Sequence, residues 1–419
     1  MRACLHDENF MRKRPWGFPS VLAAALMACM SPGLAQTSPI KQGFDAAWAR
    51  QPEQRSASLR HDAAAAKVAA AERWTPEPPS LEVSAKTDRY TRSEGVREYD
   101  AGVAIPLWLP GERSRAHASA SSDALAVDAR LAAAQWRLAA EVREAYWAYQ
   151  RASSEQQLAE RRLANARQLA EDVTRRVRAG DLARSDSHQA EGTVAAAEAA
   201  FAEAGITRMQ ATTAWKALTG LQEPAVEPSS ASESRPAEAL AEDLHPVLRD
   251  LNSRADVART QRDLAGVQTR SNPELTVGAV RERDGRGERY GQSVVVGIRV
   301  PLGRLSSSDS KLAAASAELV EAESQLTLEA QRIRMQVDAT KAALMSLEAV
   351  RASAERRAVL ARESRGFFEK SFRLGESDLP TRLRAELESF EAERQAERSR
   401  LDVDAAVSKL RQALGLLPD

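Results

Sequence analysis

The histidines and cysteines of this chain lack the spacing that metal or nucleophilic chemistry requires. Beyond residue 35 the histidines are His61, His117, His188 and His245, with no His-Glu-x-x-His or similar pair among them. We expect each of them to be a solvated residue of a helix. Both cysteines, Cys4 and Cys29, lie within the first 35 residues, so the rest of the sequence offers no thiol for catalysis, disulfides or metal binding.

A glycine-rich segment and the many acidic residues give no clearer site. Residues 285–287, Gly-Arg-Gly, resemble a phosphate-binding loop only superficially, because they lie in a predicted hairpin turn that no helix follows. Acidic side chains occur along every predicted helix as solvated faces, and nothing singles out an acid/base pair. The sequence therefore predicts no enzyme and no cofactor.

Composition narrows the class further. The 419 residues carry a formal net charge of zero, and 28% are charged, 43% hydrophobic and 5% aromatic. A nucleic-acid-binding protein would have a basic excess, which is missing here. Arg, Glu and Asp mixed with Ala and Leu are typical of long helices and coiled coils. We therefore expect a mainly helical protein with no nucleic-acid partner.

Residues 1–35 are predicted to form a signal peptide, with translation starting at Met11. Residues 11–14 are basic, residues 21–27 are apolar, and residues 33–35 resemble a cleavage site. The apolar run is shorter than the ~20 residues that a membrane-spanning helix needs, and no later run is long enough. An alternative is a lipobox that would make Cys29 a lipidated residue.

The rest of the sequence consists of two similar repeats, which are offset by 194 to 195 residues. The matching pairs are Pro52 and Pro246, Leu81 and Leu275, Pro106 and Pro301, Gly180 and Gly375, and Gly220 and Gly415. Each unit reads helix, strand, strand, very long helix, second long helix. We assign 36–221 to the first repeat, 222–238 to an exposed linker rich in Pro, Ser, Ala and Glu, and 239–419 to the second repeat.

Each repeat contains a predicted hairpin with one apolar face. Residues 81–87 and 99–108, and their counterparts 275–279 and 293–302, alternate between apolar and polar or small side chains. The polar face carries Glu82, Lys86, Asp100, Gly102, Gly297 and Arg299. One such hairpin equally fits a soluble core. Two at matching positions, with strands of about ten residues, favour outer-membrane strands.

Long helices follow each hairpin. Residues 112–178 contain neither proline nor glycine and would form a rod of roughly 100 Å. Apolar or small residues recur there every seven positions, and the second repeat has the same phase, which predicts helices packed side by side. Residues 41–73 are predicted to form an Ala-rich amphipathic helical region before the first strand.

Four membrane strands cannot close a barrel by themselves. An open sheet edge in lipid leaves backbone groups unpaired at several kcal/mol each, and known barrels start at about eight strands. If the hairpins span a membrane, at least two copies of the chain must therefore complete the barrel. Its polar face would line a lumen that continues into the helices.

Short motifs at constant spacing carry a family resemblance. They are Asn272-Pro273-Glu274-Leu275, Ile105-Pro106-Leu107, Val300-Pro301-Leu302, and the helix turns at Gly180 and Gly375. With the duplicated units, they make the chain similar to the outer-membrane factors of the TolC superfamily, especially those of heavy-metal and multidrug RND efflux systems. The resemblance implies a mainly α fold with a membrane β-barrel contribution. It further implies a homotrimer in outer-membrane lipid, with a twelve-stranded barrel and a twelve-helix periplasmic tunnel.

The resemblance also implies where partners bind. The family's periplasmic adaptor docks at the two helix turns, here represented by Gly180, Asp181, Leu182, Asp186, Ala190, Gly375, Glu376 and Leu379. Some relatives close the tunnel with an acidic ring, whereas the corresponding gate candidates here are Thr381, Arg382 and Arg384. A cation-selective constriction at this end is therefore not expected.

The resulting functional hypothesis is a passive exit duct of a tripartite efflux pump, served by an adaptor and an inner-membrane RND pump. Energy must come from a partner, because the sequence has no nucleotide motif. An exit channel of a type I (ABC) protein secretion system is an alternative. A periplasmic coiled-coil scaffold without a pore is an alternative of another class, which the duplicated hairpins argue against.

Overall fold

The computed structural model describes residues 38–91, 94–224, 233–236 and 244–419. The predicted signal peptide and the lipidation candidate Cys29 lie outside these residues. The elements of the first repeat are α1 (Pro39–Arg50), α2 (Pro52–Ala71), β1 (Ser80–Thr87), β2 (Arg97–Pro106), α3 (Glu112–Ala179) and α4 (Arg184–Thr219). Those of the second are α5 (Pro246–Val267), β3 (Glu274–Arg283), β4 (Gly291–Arg299), α6 (Ser308–Arg373) and α7 (Leu379–Ala413).

The helical region predicted over residues 41–73 consists of two helices in the structure. Gln51 is extended, with φ −68° and ψ 138°, and Pro52 starts α2 at its first turn. Proline has no amide hydrogen and restricts the residue before it to an extended conformation, so α1 must end at this point. The corresponding Pro246 likewise begins α5.

The two hairpins combine into one antiparallel sheet of order β1-β2-β3-β4. Strands β2 and β3 join them, with Gly102 opposite Gly278 in the register. A Cβ on Gly278 would lie 3.0 Å from the carbonyl oxygen of Ala101, so glycine permits this close pairing. The edges of the sheet are β1 and β4.

The long helices form two antiparallel hairpins, α3 with α4 and α6 with α7, which meet where α7 packs on α3. The predicted seven-residue seams are largely buried. Their buried members include Leu138, Ala152, Ala159, Ala166 and Val173 in α3, Ala190, Ala197 and Ala204 in α4, and Leu319, Ile333 and Ala354 in α6. In the part of the chain that the structure describes, no helix combines the length and the apolar character needed to cross a membrane.

The core at mid-length of the helices joins the two repeats. Trp147 of α3 packs there with Phe44, Trp215 and Leu401, and its indole donates a hydrogen bond of 2.9 Å to Ser408 of α7. The indole of Trp136, also in α3, donates to the carbonyl oxygen of Gln412 at 2.8 Å. These contacts fix the C-terminal helix against the first repeat.

The predicted exposed linker is not exposed at Glu233. Its carboxylate is fully buried and accepts hydrogen bonds from Arg143 of α3 at 2.6 and 2.9 Å, and Arg411 of α7 lies 3.5 Å away. Two guanidinium groups in the interior require a carboxylate, because unpaired buried charges are strongly unfavourable. Glu233 of the linker thus contributes to the core.

Candidate functional site

The two helix turns at the far end of the hairpins have the same backbone geometry. Gly180 and Gly375 adopt φ angles of 88° and 79°, the left-handed conformation that favours glycine. The amide of Asp181 donates to the carbonyl of Arg176 at 2.9 Å, and that of Glu376 donates to Ser371 at 3.0 Å. This is the Schellman pattern of helix ends, and we call the region of the two turns the tip.

Carboxylates start the returning helices at the tip. Asp186 accepts a hydrogen bond from the amide of Ala183 at 3.1 Å, and Asp378 accepts one from the amide of Thr381 at 3.2 Å. Hydrogen bonds from Thr381 hold the pKa of Asp378 below its usual range. Thr381, a gate candidate, is therefore part of the helix cap.

Both hairpins contribute to a small hydrophobic core at the tip. It consists of Leu169, Val173, Ala190, Phe372 and Leu379. Ala190 and Leu379 are each only 1% exposed and hold the two hairpins together within one copy of the chain. Their contact with an adaptor stays a prediction. Leu182 packs partly buried against this core, while Asp181 and Glu376 are exposed.

Phe372 lies between two arginines that the sequence analysis did not associate. The guanidinium carbons of Arg176 and Arg382 are each 5.0 Å from the centre of its ring, and Arg176 also donates to its carbonyl oxygen at 3.1 Å. Arg382 reaches Glu386 at 3.5 Å. Burial raises the pKa of Glu386 despite this arginine. Arg382 thus has structural partners inside one copy of the chain.

The sheet has an apolar face and a polar face, as the alternation predicts. We call them the outer and inner faces. Exposed side chains of the outer face include Leu81 (73%), Val294 (76%), Val296 (68%) and Ile298 (65%). On the inner face, Lys86 pairs with Glu98 at 3.0 Å and Arg299 pairs with Glu274 at 3.3 Å. A water-facing inner surface and a lipid-facing outer surface have this character.

Comparison with known proteins agrees with this architecture. Residues 44–221 match the family model of the outer membrane efflux proteins. The chain is 30% identical over 214 residues to the cobalt-zinc-cadmium resistance protein CzcC of Cupriavidus metallidurans, a match that covers 50% of this chain and 51% of CzcC. Over residues 44–221 the chain is therefore similar to the outer membrane efflux proteins. Its match spans about half the length of that relative.

Solved structures show that the fold extends over nearly the whole chain. The outer membrane protein VceC of Vibrio cholerae is similar with a TM-score of 0.72 and 19% identity, over 91% of this chain and 97% of VceC. The outer membrane channel MtrE of Neisseria gonorrhoeae has a TM-score of 0.71 and 18% identity, over 90% of this chain and 89% of MtrE. The chain therefore has the fold of these outer-membrane proteins in both repeats.

A groove beside the tip is a feature of the structure that sequence reasoning missed. It encloses about 740 Å³ between α3, α4 and α7. Its charged lining comprises Arg161, Arg162, Arg365, Arg384, Glu386 and Glu393. Arg162 lies 4.8 Å above the ring of Phe390. The gate candidate Arg384 is exposed and lines this groove. Its members come from helices distant in sequence, so only the packing brings them together.

The prediction of solvated histidines is wrong at His245. That residue is 3% exposed and caps α5, with its Nδ1 accepting from the amide of Val247 at 3.3 Å. It packs against Trp136 with ring centres 5.2 Å apart, and burial lowers its pKa. The proline at the start of α5 was the available signal for a cap at this position.

Proposed function

We propose that this chain is one subunit of an oligomeric exit duct in the outer membrane, which passes substrates from the periplasm to the exterior. The observation that carries the proposal is the sheet, whose apolar outer face is exposed and whose edges β1 and β4 are open in a single copy. In lipid, both edges need partners from neighbouring copies. We propose three copies, the number that the family resemblance implies, which gives twelve strands.

The long hairpins support a tunnel that continues from the barrel into the periplasm. At 1.5 Å per residue, the 68 residues of α3 span about 100 Å. The inner face of the sheet carries charged and small residues, which suits a water-filled passage. We propose that the duct is passive and depends on an energised inner-membrane partner.

We further propose that a periplasmic adaptor docks at the tip and connects the duct to an inner-membrane RND pump. The exposed residues Asp181 and Glu376 and the neighbouring groove offer a surface that both hairpins shape. Four arginines against two glutamates give the groove an excess of positive charge. An adaptor segment with acidic side chains suits this surface through charge complementarity. Thr381, Arg382 and Arg384 keep their proposed role near the gate.

The name of CzcC suggests which substrates to test first. It is a cobalt-zinc-cadmium resistance protein, so divalent transition-metal cations are our first proposed substrate class. Deletion of the gene should lower the tolerated concentrations of cobalt, zinc and cadmium salts, and expression from a plasmid should restore them. A deletion strain sensitised only to organic drugs would overturn the metal assignment and keep the duct.

The duct itself is tested by fractionation. We expect heat-resistant oligomers in the outer-membrane fraction, and an adaptor with an RND pump among the proteins crosslinked to them. Soluble monomers in the periplasmic fraction would contradict the duct. An ABC transporter as the crosslinked pump would instead identify a protein-export channel.

A further inference from the structure

The outer face of the sheet changes character towards its loop end. Rows of cross-strand neighbours follow from the register. Nearest the helices they are Ile105, Leu275 and Ile298, followed by Leu81, Val103, Val277 and Val296, and then by Val83, Ala101, Ala279 and Val294. The next row is Ala85, Tyr99, Arg281 and Gln292, and the last contains Thr87, Arg97 and Arg283. An apolar band thus ends in a band of arginine and tyrosine.

Two arginines of this band are direct cross-strand neighbours. Arg97 lies directly opposite Arg283 on β2 and β3, an arrangement in which like charges are destabilising. Arg281 and Arg283 lie above the ring of Tyr290, at 4.5 and 5.1 Å from its centre. Arg283 also donates to the carbonyl oxygen of Gly95 at 3.1 Å. Within the described ranges, none of the three arginines forms an ion pair with a carboxylate.

The cations of the inner face, unlike those of the outer band, are paired with carboxylates. Lys86 and Arg299 each have a carboxylate partner, Glu98 and Glu274 respectively. The acidic neighbours of the arginine band along the strands, Glu98 and Glu282, alternate to the inner face and cannot compensate it. The described strands place no carboxylate on the outer face, so an anion from outside the chain can balance the band.

The position of the band indicates the source of that charge. At the opposite end of the apolar rows, Trp74 and Leu302 are 91% and 92% exposed, and Trp108 follows β2. Aromatic residues border the apolar band of membrane barrels at both interfaces. The arginines then lie at headgroup level in the leaflet on the loop side. In the duct proposed above this is the outer leaflet, because the helices extend into the periplasm.

We propose that Arg97, Arg281 and Arg283, oriented by Tyr290, bind the phosphate groups of an anionic lipid of the outer leaflet. Guanidinium groups bind phosphate through paired hydrogen bonds, which suits a cluster of arginines better than one of lysines. This inference rests on the proposed function, since it requires the sheet to span the outer membrane. It adds a lipid-binding site to the duct.

Native mass spectrometry of the purified oligomer tests the site. The probes are lipid A with two phosphates, monophosphoryl lipid A and zwitterionic phosphatidylcholine, and we expect retention in that order. Replacing all three arginines by glutamine should weaken binding of the bisphosphorylated lipid by about 100-fold, at roughly fivefold for each charge near the lipid surface. The matched control, Lys86→Gln with Arg299→Gln, removes two inner-face cations and should leave binding unchanged. A triple Arg→Lys variant should recover most of it.

Three outcomes would overturn the site: equal retention of the three lipids, equal losses in the triple and control variants, or binding of inorganic phosphate that lipid A does not displace. The assay uses oligomers in detergent and does not depend on efflux. Oligomers that form normally but bind no lipid A would therefore refute only the headgroup site. Recovery of the wild type as soluble monomers would refute the duct.

Discussion

Helices α3 and α6 have equivalent positions in the two repeats but very different surroundings. Their lengths are 68 and 66 residues, and their sequences share the same seven-residue phase. Yet 22 residues of α3 are buried, against seven of α6. The reason is that α3 packs against α1, α2, α4, α5 and α7, whereas α6 packs mainly against α5 and α7.

The difference indicates where a single copy is incomplete. Large apolar side chains of α6 are exposed along its length, including Val320 (63%), Leu328 (66%), Met335 (74%), Met345 (70%), Leu360 (59%) and Phe367 (69%). Contiguous exposed apolar surface of this kind marks interaction sites. In the proposed duct a neighbouring copy covers it, so α3 stabilises the subunit and α6 the assembly.

The largest expected effect comes from placing charge on α6. Leu328→Glu combined with Met335→Glu should abolish oligomers while leaving the monomer folded, because both side chains are exposed in one copy and buried only between copies. Size-exclusion chromatography with light scattering measures the oligomer, and circular dichroism measures the helices. Leu59→Glu, at an isolated exposed position of α2, is the control and should assemble normally. Wild-type oligomers in the double variant would remove α6 from the interface.

The linker offers a second comparison, since it pairs with both helices. Glu233 binds Arg143 of α3 in the interior, while Arg235 binds Glu348 of α6 at 2.6 Å on the surface. Glu233→Ala should lower the free energy of unfolding by about 3–5 kcal/mol, because it leaves a buried guanidinium unpaired. Arg235→Ala should cost about 0–1 kcal/mol. Denaturant unfolding compares the two, and equal losses would contradict the asymmetry between α3 and α6.

Substitution of the tip glycine should have the same effect in both repeats, in contrast to the different surroundings of α3 and α6. A Cβ at Gly180 or Gly375 would meet no atom within 4 Å, so the cost of substitution comes from the positive φ angle alone. We expect valine at either position to destabilise the tip by roughly 1–2 kcal/mol and to reduce efflux, with oligomers intact. Asparagine tolerates this conformation and serves as the control.

Hydrogen exchange of the tip amides and metal tolerance of the strain give the two readouts. Normal tolerance in both valine variants would count against adaptor docking at this end of the molecule.

The smallest expected effect concerns His245. Its ring packs against Trp136 of α3, and the charge of Glu329 of α6 acts on it. Burial lowers its pKa and outweighs the attraction of Glu329. Its neutral form is therefore favoured in the folded chain, and the stability it contributes above its ordinary pKa of ~6.5 is lost as the pH falls below that value. Unfolding at pH 7.5 and 5.5 should show a decrease, at most about 1.4 kcal/mol per pH unit, that His245→Asn lacks. An identical decrease in the variant would assign the effect to another group.

The structural features that depend on a local sequence pattern were predictable from the sequence. Alternation located the strands, seven-residue spacing located the helical seams, and the repeated glycines located the tip turns. The boundary at Pro52 lies inside the predicted helical region and is marked in the sequence by the proline itself. Local pattern carries information about a residue's own element, and these features needed nothing more.

What could not be predicted depends on pairs distant in the chain. Phe372 meets Arg176 across 196 residues, and Glu233 meets Arg143 across 90. Composition predicted an exposed linker because the residues around Glu233 are polar. The burial of Glu233 is decided by Arg143 on α3 and Arg411 on α7. For the same reason, α3 and α6 are indistinguishable by their heptads and differ only once the packing order is known.

Electron cryomicroscopy of the wild-type protein in lipid nanodiscs tests the central claim most directly. We predict a closed ring of three copies, in which β1 of each copy pairs with β4 of the next and the outer face contacts lipid. Single copies with β1 and β4 unpaired, or sheets lying outside the bilayer, would contradict the account.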